Sequence, residues 1–301
     1  MLLPDLIALT KPRVVSLLLL TTVAPMFLTS RGVPGLGLIG WVVLAGYLMA
    51  GGANAVNMWF DRDIDGAMAR TRLRPVPSGR LSAGAALGFG IALGAVSFAL
   101  FWRFVTPLAA TLAAAGFLFY VFVYTMWLKR ASHRNIVIGG AAGAFPPLVG
   151  WAAMTNSLEW AAIYLFAIIF YWTPPHFWAL ALIKEKEYAR AGIPMLPVVR
   201  GAHATKVQML GYTLLLLPLT LLPTLAGSQG LLYAVVAVLL GARLLWYCLR
   251  LLKEPDSSPL PWRMYRYSLL YLALLFVAMG VDKYVPFGHR KPAPEVVILG
   301  R

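Results

Sequence analysis

Carboxylates are scarce in this sequence: 11 Asp and Glu stand against 26 Lys and Arg in 301 residues, and charged residues of both signs make up only 12%. So little charge excludes an ordinary soluble surface, since soluble chains carry about a quarter charged residues. Cysteine is nearly missing. The single Cys248 excludes an internal disulfide and any multi-cysteine metal site. The first apolar stretch lacks a small-residue cleavage site, and the N-terminus lacks the Arg- and Ser-rich pattern of an organelle transit peptide. The expectation is a mature protein of the bacterial inner membrane.

What is plentiful is apolar: 60% of residues are hydrophobic, the mean hydropathy is +0.75, and the runs reach the roughly 20 residues that a bilayer span requires. About nine spans are expected, near 13–30, 37–59, 83–102, 104–127, 136–154, 158–182, 207–226, 230–252 and 265–285. Backbone groups in lipid must be satisfied within the segment, and these runs are long rather than alternating. The fold class is therefore an all-α polytopic bundle and not a barrel. Lys and Arg crowd alternate connections, 19 against 6, with Arg243 alone inside a span. That bias predicts a cytoplasmic N-terminus and, for an odd number of spans, an outside C-terminus. The net charge of +15 restates this topology and is no signal for nucleic acid. The chain reads as a single membrane domain, residues 1–301, with cytoplasmic site loops at about 60–82 and 183–206.

Three of the few carboxylates fall within five positions of "NMWFDRDID" (57–65). If the second span continues as a helix, Asn57, Asp61 and Asp65 share one stripe at i, i+4 and i+8, while Asp63 points elsewhere. One amide and two carboxylates are hard oxygen ligands suited to Mg²⁺, which fills its remaining positions with water and phosphate oxygens. An acidic loop cluster paired with neighbouring arginines accounts for the same residues. The next stretch, "RTRLRPVPSGR" (70–80), sets Arg70, Arg72, Arg74 and Arg80 around a Pro/Gly turn. Alone it is a positive-inside signal; directly after the acidic stripe it supplies the second half of a diphosphate clamp. In "YWTPPHFWALALIKEKEY" (171–188), His176 follows two prolines that should kink the sixth span. It is a functional candidate by its place in the membrane, or a neutral histidine bonded to a carbonyl freed at the kink. Lys184, Lys186 and Glu187 sit where snorkelling charges are ordinary.

These residues resemble the UbiA-type membrane prenyltransferases, whose first motif, NxxxDxxxD, matches Asn57, Asp61 and Asp65. "MARTRLRPVPSGR" (68–80), "LKRASHRNIVIGGAAGAFPPLVGWAA" (128–153) and "PPHFWALALIKEKEYARAGIPMLPVV" (174–199) resemble the branch that farnesylates protohaem. The resemblance covers most of residues 50–200. It implies a bundle around a central cavity open to the membrane, and transfer of farnesyl from farnesyl diphosphate to a vinyl group of protohaem (haem B, a substrate and not a permanent cofactor), with hydration to haem O. By the resemblance, Asn57, Asp61 and Asp65 hold Mg²⁺ on the diphosphate, Arg70 and Arg74 stabilise the leaving group, and His176 acts toward haem as iron ligand or orienting group. Arg80, Lys129, Arg130, Asn135 and Tyr188 are further substrate-binding candidates, with helix capping the other role for Asn135. Quinone-type members carry a second aspartate-rich motif where this sequence has Lys184, Glu185, Lys186, Glu187 and Tyr188. Lysines there would contact the diphosphate directly and Glu187 would assist one metal, which favours haem as acceptor. The implied partners are farnesyl diphosphate, haem and the lipid bilayer, with a haem A synthase or terminal oxidase assembly partner left open. A quinone-precursor or chlorin prenyltransferase, a transporter and a haem-handling scaffold are the competing readings.

Overall fold

The computed structural model describes residues 2–69, 71–285 and 297–300. Lys11 precedes Pro12, and a residue before proline is pushed out of the right-handed helical region. It adopts left-handed angles (φ 51°, ψ 62°), so the chain breaks there into α1 (Leu2–Thr10) and α2 (Pro12–Met26), bent by 48°. After α3 (Leu36–Phe60), a short α4 (Arg62–Ala67) leads through the basic loop to α5 (Ala83–Phe104). Helix α6 (Pro107–Leu118) runs on through a π-helix, Phe119–Leu128, into α7 (Lys129–Ala131); α8 (Asn135–Gly139) and α9 (Ala141–Thr155) follow. The rest is α10 (Trp160–Ile183), α11 (Glu185–Arg190), α12 (Leu196–Leu225), α13 (Leu231–Lys253) and α14 (Leu260–Tyr284). Leu158–Glu159 pairs antiparallel with Val297–Leu299.

Eight helices among the described residues are long and apolar enough to cross a membrane, and a ninth span exists only if the bent α1–α2 pair counts as one. The chain is a multi-pass membrane protein. The expected first span, 13–30, needs correction: α2 has 15 residues, about 22 Å of helix, which is short of a hydrocarbon core of about 30 Å. The seventh also differs, because α12 begins at Leu196 and continues across a non-helical Gly201 (φ 79°). Much of the expected loop 183–206 is therefore helical. The tail basic residues Arg290, Lys291 and Arg301 lie outside the described residues.

Apolar helices in lipid gain little from burial against one another, so close contact has to come from small residues. A Cβ at Gly90 of α5 would lie 2.9 Å from the Gly52 carbonyl and 3.0 Å from the Val56 nitrogen of α3. The backbones touch there, which sets α3 and its polar end against α5. At the other end of the sequence, buried Lys206 of α12 donates to the Glu254 carbonyl (2.9 Å) and to Asp256 (2.7 Å). That ties α12 to the connection between α13 and α14.

Candidate functional site

Asn57, Asp61 and Asp65 are all buried. The backbone ladder passes straight through the α3–α4 boundary, Asp61 N–H to the Asn57 carbonyl (2.9 Å) and Asp65 N–H to the Asp61 carbonyl (2.8 Å). The three side chains therefore share one stripe although α3 ends at Phe60. Asp63 faces out, its side chain 59% exposed, and takes two hydrogen bonds of 2.7 Å from Arg130. Those bonds favour the ionised form and hold its carboxyl down to about 2.

Buried carboxylates need partners, because desolvating an unpaired charge is costly. Lys129 binds Asp61 Oδ2, Arg74 donates to Asp65 Oδ2 at 2.6 Å, and Arg130 lies 3.7 Å from Asp61 Oδ1. Asn57 spans the group: its amide nitrogen donates to Asp61 (2.7 Å) and Thr125 (3.1 Å), and its oxygen accepts from Lys11 Nζ (3.0 Å). A π-helix, wider than an α-helix and frequent at functional sites, carries Thr125 and ends next to Lys129. Tyr120 and Tyr124 stack on it, with ring centroids 5.5 Å apart. Beside the stripe opens a cleft of about 310 Å³ lined by Trp59, Phe60, Arg62, Asp63 and Arg130.

Does this arrangement fit Mg²⁺? Asp61 Oδ1 is buried without a hydrogen-bond partner, and its available neighbours, Asp65 and Asn57, are hard oxygen donors. Among the described residues no cluster of three or more His, Cys, Asp or Glu could hold a metal ion. A divalent ion at the stripe would have two carboxylates and would need ligand oxygens for the rest, which is how Mg²⁺ binds with phosphates. The residues fit. The charges fit as well: Lys129, Arg130 and Arg74 cancel Asp61, Asp63 and Asp65 one for one, and a divalent ion beside Lys11 would leave an excess of two to three positive charges. That balances a diphosphate of about three negative charges.

The other expected residues divide. Arg70 lies outside the described residues. Arg80 is not at the stripe; it donates to Asp5 (2.9 Å) and to the Leu73 carbonyl (3.0 Å), fastening α1 to the basic loop. Asn135 does not cap a helix: Arg134 occupies the N-cap of α8 without a side-chain cap. Buried Asn135 instead reaches back to the Lys129 carbonyl (3.5 Å), leaving its Oδ1 without a hydrogen-bond partner. Lys184 pairs with Glu187 at 2.7 Å, Glu187 Oε2 is buried without a hydrogen-bond partner, and Lys186 is exposed. Tyr188 is buried and, like Asp61, lies within electrostatic reach of Tyr124. Through Tyr124 the two loops approach each other.

His176 is buried and sandwiched between Trp172 (4.4 Å between ring centroids) and Tyr265 (4.7 Å). Its Nδ1 lies 2.7 Å from Ser268 Oγ. It is held by a side chain of α14 and not by a backbone carbonyl freed by Pro174 and Pro175, and α10 runs through both prolines as one helix. Lys11, Thr125 and Ser268 were not singled out from the sequence. A lysine before proline between two apolar helices was the available signal for Lys11; Thr125 and Ser268 gave none.

A family model described as the UbiA prenyltransferase family matches residues 17–279. The chain is 56% identical over 284 residues to a protein named protoheme IX farnesyltransferase from Roseiflexus sp. (strain RS-1), covering 94% of this chain and 53% of that one. A protein of the same name from Symbiobacterium thermophilum is 54% identical over 280 residues, covering 92% of this chain and 93% of that one. The chain thus spans about half the length of several curated relatives it matches, the Roseiflexus and Chloroflexus proteins among them, and nearly the whole of the Symbiobacterium one. Its fold is similar to that of a UbiA homologue from Archaeoglobus fulgidus solved with DMAPP and Mg²⁺, with TM-score 0.69, 17% identity and coverage of 92% and 99%. With the family model matching most of its length, this chain belongs to the UbiA prenyltransferase family.

Proposed function

We propose that the protein transfers the farnesyl group of farnesyl diphosphate to a vinyl group of protohaem, with addition of water, giving haem O and diphosphate. The observation that carries this reading is the buried Asn57–Asp61–Asp65 stripe facing Lys11, Lys129 and Arg74. Supporting it is the name shared by relatives more than half identical to the chain.

The chemistry asks three things of the site. The C1–oxygen bond of the allylic diphosphate must break with its electron pair leaving on oxygen, so positive charge must already surround that oxygen. Lys129, Lys11 and Arg74 supply it. Asp61 and Asp65, with Asn57 adjacent, would hold Mg²⁺, which when bound would supply Lewis-acid neutralisation of the diphosphate. Next, the terminal vinyl carbon gives its π-electrons to C1, forming the new carbon–carbon bond. The stacked Tyr120 and Tyr124 rings beside Asp61 offer negative faces to the transient allylic charge. Finally, the cation left on the inner vinyl carbon takes oxygen from water and a proton is lost, which accounts for every atom of the hydroxyethylfarnesyl group. His176, clamped between Trp172 and Tyr265, orients the macrocycle or ligates its iron. We further infer that Lys184, Lys186 and Tyr188 serve the diphosphate from the second loop, that the chain is one domain, and that the loop face is cytoplasmic in a bacterial inner membrane. A haem A synthase or terminal oxidase assembly factor would receive the product.

The test is mass spectrometry of haems extracted after the purified protein is incubated with protohaem, farnesyl diphosphate and Mg²⁺. A hydrated, farnesylated haem from the unmodified protein, absent with Asp61→Ala, is the expected outcome. Unmodified haem together with prenylation of a quinone precursor or chlorin would remove the haem assignment and leave the family intact.

A further inference from the structure

Arg243 sits on α13 ten residues before Lys253, about 15 Å below the loop-side end of the helix. It is exposed on a stripe shared with Leu239 and Trp246, which are 65% and 41% exposed, so it faces lipid and not the bundle interior. None of the ion pairs among the described residues includes it. An unpaired guanidinium at that depth is costly, and intramembrane charges are retained where they have a counter-charge.

The surroundings are organised. The Arg243 guanidinium lies 4.4 Å over the Trp246 ring and 5.2 Å over Tyr247, and Arg250, two turns nearer the loop face, lies 5.8 Å over the same Trp246. From α14, Tyr267 packs 5.3 Å from Tyr247 and donates to the Leu240 carbonyl at 2.7 Å, closing one wall beside Arg243. Aromatic faces hold the two guanidinium planes without using their N–H donors. Arg250 shares its charge with Glu254 at 3.2 Å; Arg243 has no such partner.

We propose that the α13–α14 face around Arg243, Trp246 and Arg250 is a binding site for the phosphate of an anionic phospholipid from the loop-side leaflet. The acyl chains would lie along the exposed apolar residues of α13, and the phosphate would take the free donors of Arg243, drawn toward the interface along the Trp246 ring. Charge complementarity selects this occupant. A zwitterionic lipid brings its own cation to the site, and an uncharged one leaves Arg243 uncompensated.

The experiment is native mass spectrometry of the full chain in detergent, titrated with phosphatidylglycerol or with phosphatidylcholine of identical acyl chains. The expected result is retention of phosphatidylglycerol at about tenfold lower concentration than phosphatidylcholine, with that preference lost in Arg243→Gln and kept in part in Arg243→Lys. Arg103→Gln, a cation at the opposite end of the bundle stacked on Phe104, should leave the preference unchanged. Equal retention of both lipids by the unmodified protein overturns the proposal even if no variant folds, and so does a preference that survives Arg243→Gln. Displacement of the lipid by millimolar inorganic phosphate would make this a free-anion site and overturn the phospholipid assignment.

Discussion

His176 Nδ1 and Ser268 Oγ are 2.7 Å apart, and Ser268 Oγ donates its proton to the Tyr265 carbonyl at 2.8 Å. A serine has one proton to give. With that proton on Tyr265, the bond to His176 is made by the imidazole Nδ1–H, and the lone pair of the neutral ring is on Nε2. Trp172 adds to the arrangement by donating to the Ser268 carbonyl at 2.9 Å. One residue of α14 thus sets both the orientation and the tautomer of a histidine on α10.

Ser268→Ala removes the acceptor and frees the ring to exchange tautomers. Under the proposed role of His176, the affinity for added haem falls by about ten- to a hundredfold, as for other outer partners of ligating histidines. Ser268→Thr, which keeps the hydroxyl, should recover it. The readout is the Soret spectrum of the titrated protein, in which His176→Ala should lose the same band. Unchanged haem binding in Ser268→Ala would mean that the bond only packs α10 against α14.

The stripe and its neighbour should separate cleanly in mutation. Asp61 is buried and pairs with Lys129, whereas Asp63 is exposed and pairs with Arg130. Asp61→Asn is expected to lower kcat by at least about a hundredfold, the scale of losing one preorganised electrostatic partner. It should also destabilise the fold by up to about 3 kcal/mol, because partly buried Lys129 is left without its partner. Asp63→Asn should change either quantity little, since exposed pairs contribute about 0–1 kcal/mol. Product formation and thermal unfolding, measured on both variants, test the contrast.

The Asp63–Arg130 pair also fixes a pH window. Its folded carboxyl is lowered from 3.8 to about 2, chiefly by the Arg130 hydrogen bonds. A depressed carboxylate contributes stability that is fully present above the ordinary value and lost as pH falls toward 2. Arg130→Gln should return the Asp63 titration, followed by carboxyl-carbon NMR, to the ordinary carboxylate range near 4. At neutral pH Asp63 stays ionised in either protein, so this change leaves no neutral-pH signature of its own.

Much of the bundle is legible in the sequence because the bilayer demands it. Gapless apolar runs predict α3, α5, the α8–α9 pair, α10 and α13 to within a few residues, and the i, i+4, i+8 spacing places Asn57, Asp61 and Asp65 together. What escaped depended on the chain's neighbours. The break at Lys11 turns on its φ of 51°, and the π-helix at 119–128 has the same apolar composition as an α-helix. Arg80 reads like Arg74 in the basic loop, yet Asp5, distant in sequence, claims it. Asn135 looked like a cap because Asn favours that position; the helix begins one residue earlier than that role requires. No periodicity could have linked Ser268 to His176, 92 residues apart.

Lys11 gives the last test, because it competes for an atom the metal would want. Asn57 can offer a cation only its Oδ1, and that oxygen accepts from Lys11 at 3.0 Å while the amide nitrogen is spent on Asp61 and Thr125. Either Lys11 withdraws when Mg²⁺ binds, or Asn57 orients Asp61 without touching the metal. Lys11→Met removes the competitor and one positive charge. If Asn57 is a ligand, the Mg²⁺ concentration for half-maximal activity should fall, while the KM for farnesyl diphosphate rises by about tenfold from the lost cation. If Asn57 only orients, KM rises in the same way and the Mg²⁺ dependence stays where it was. Steady-state titrations of both ligands on Lys11→Met, with Asn57→Ala alongside, distinguish the two roles of the amide.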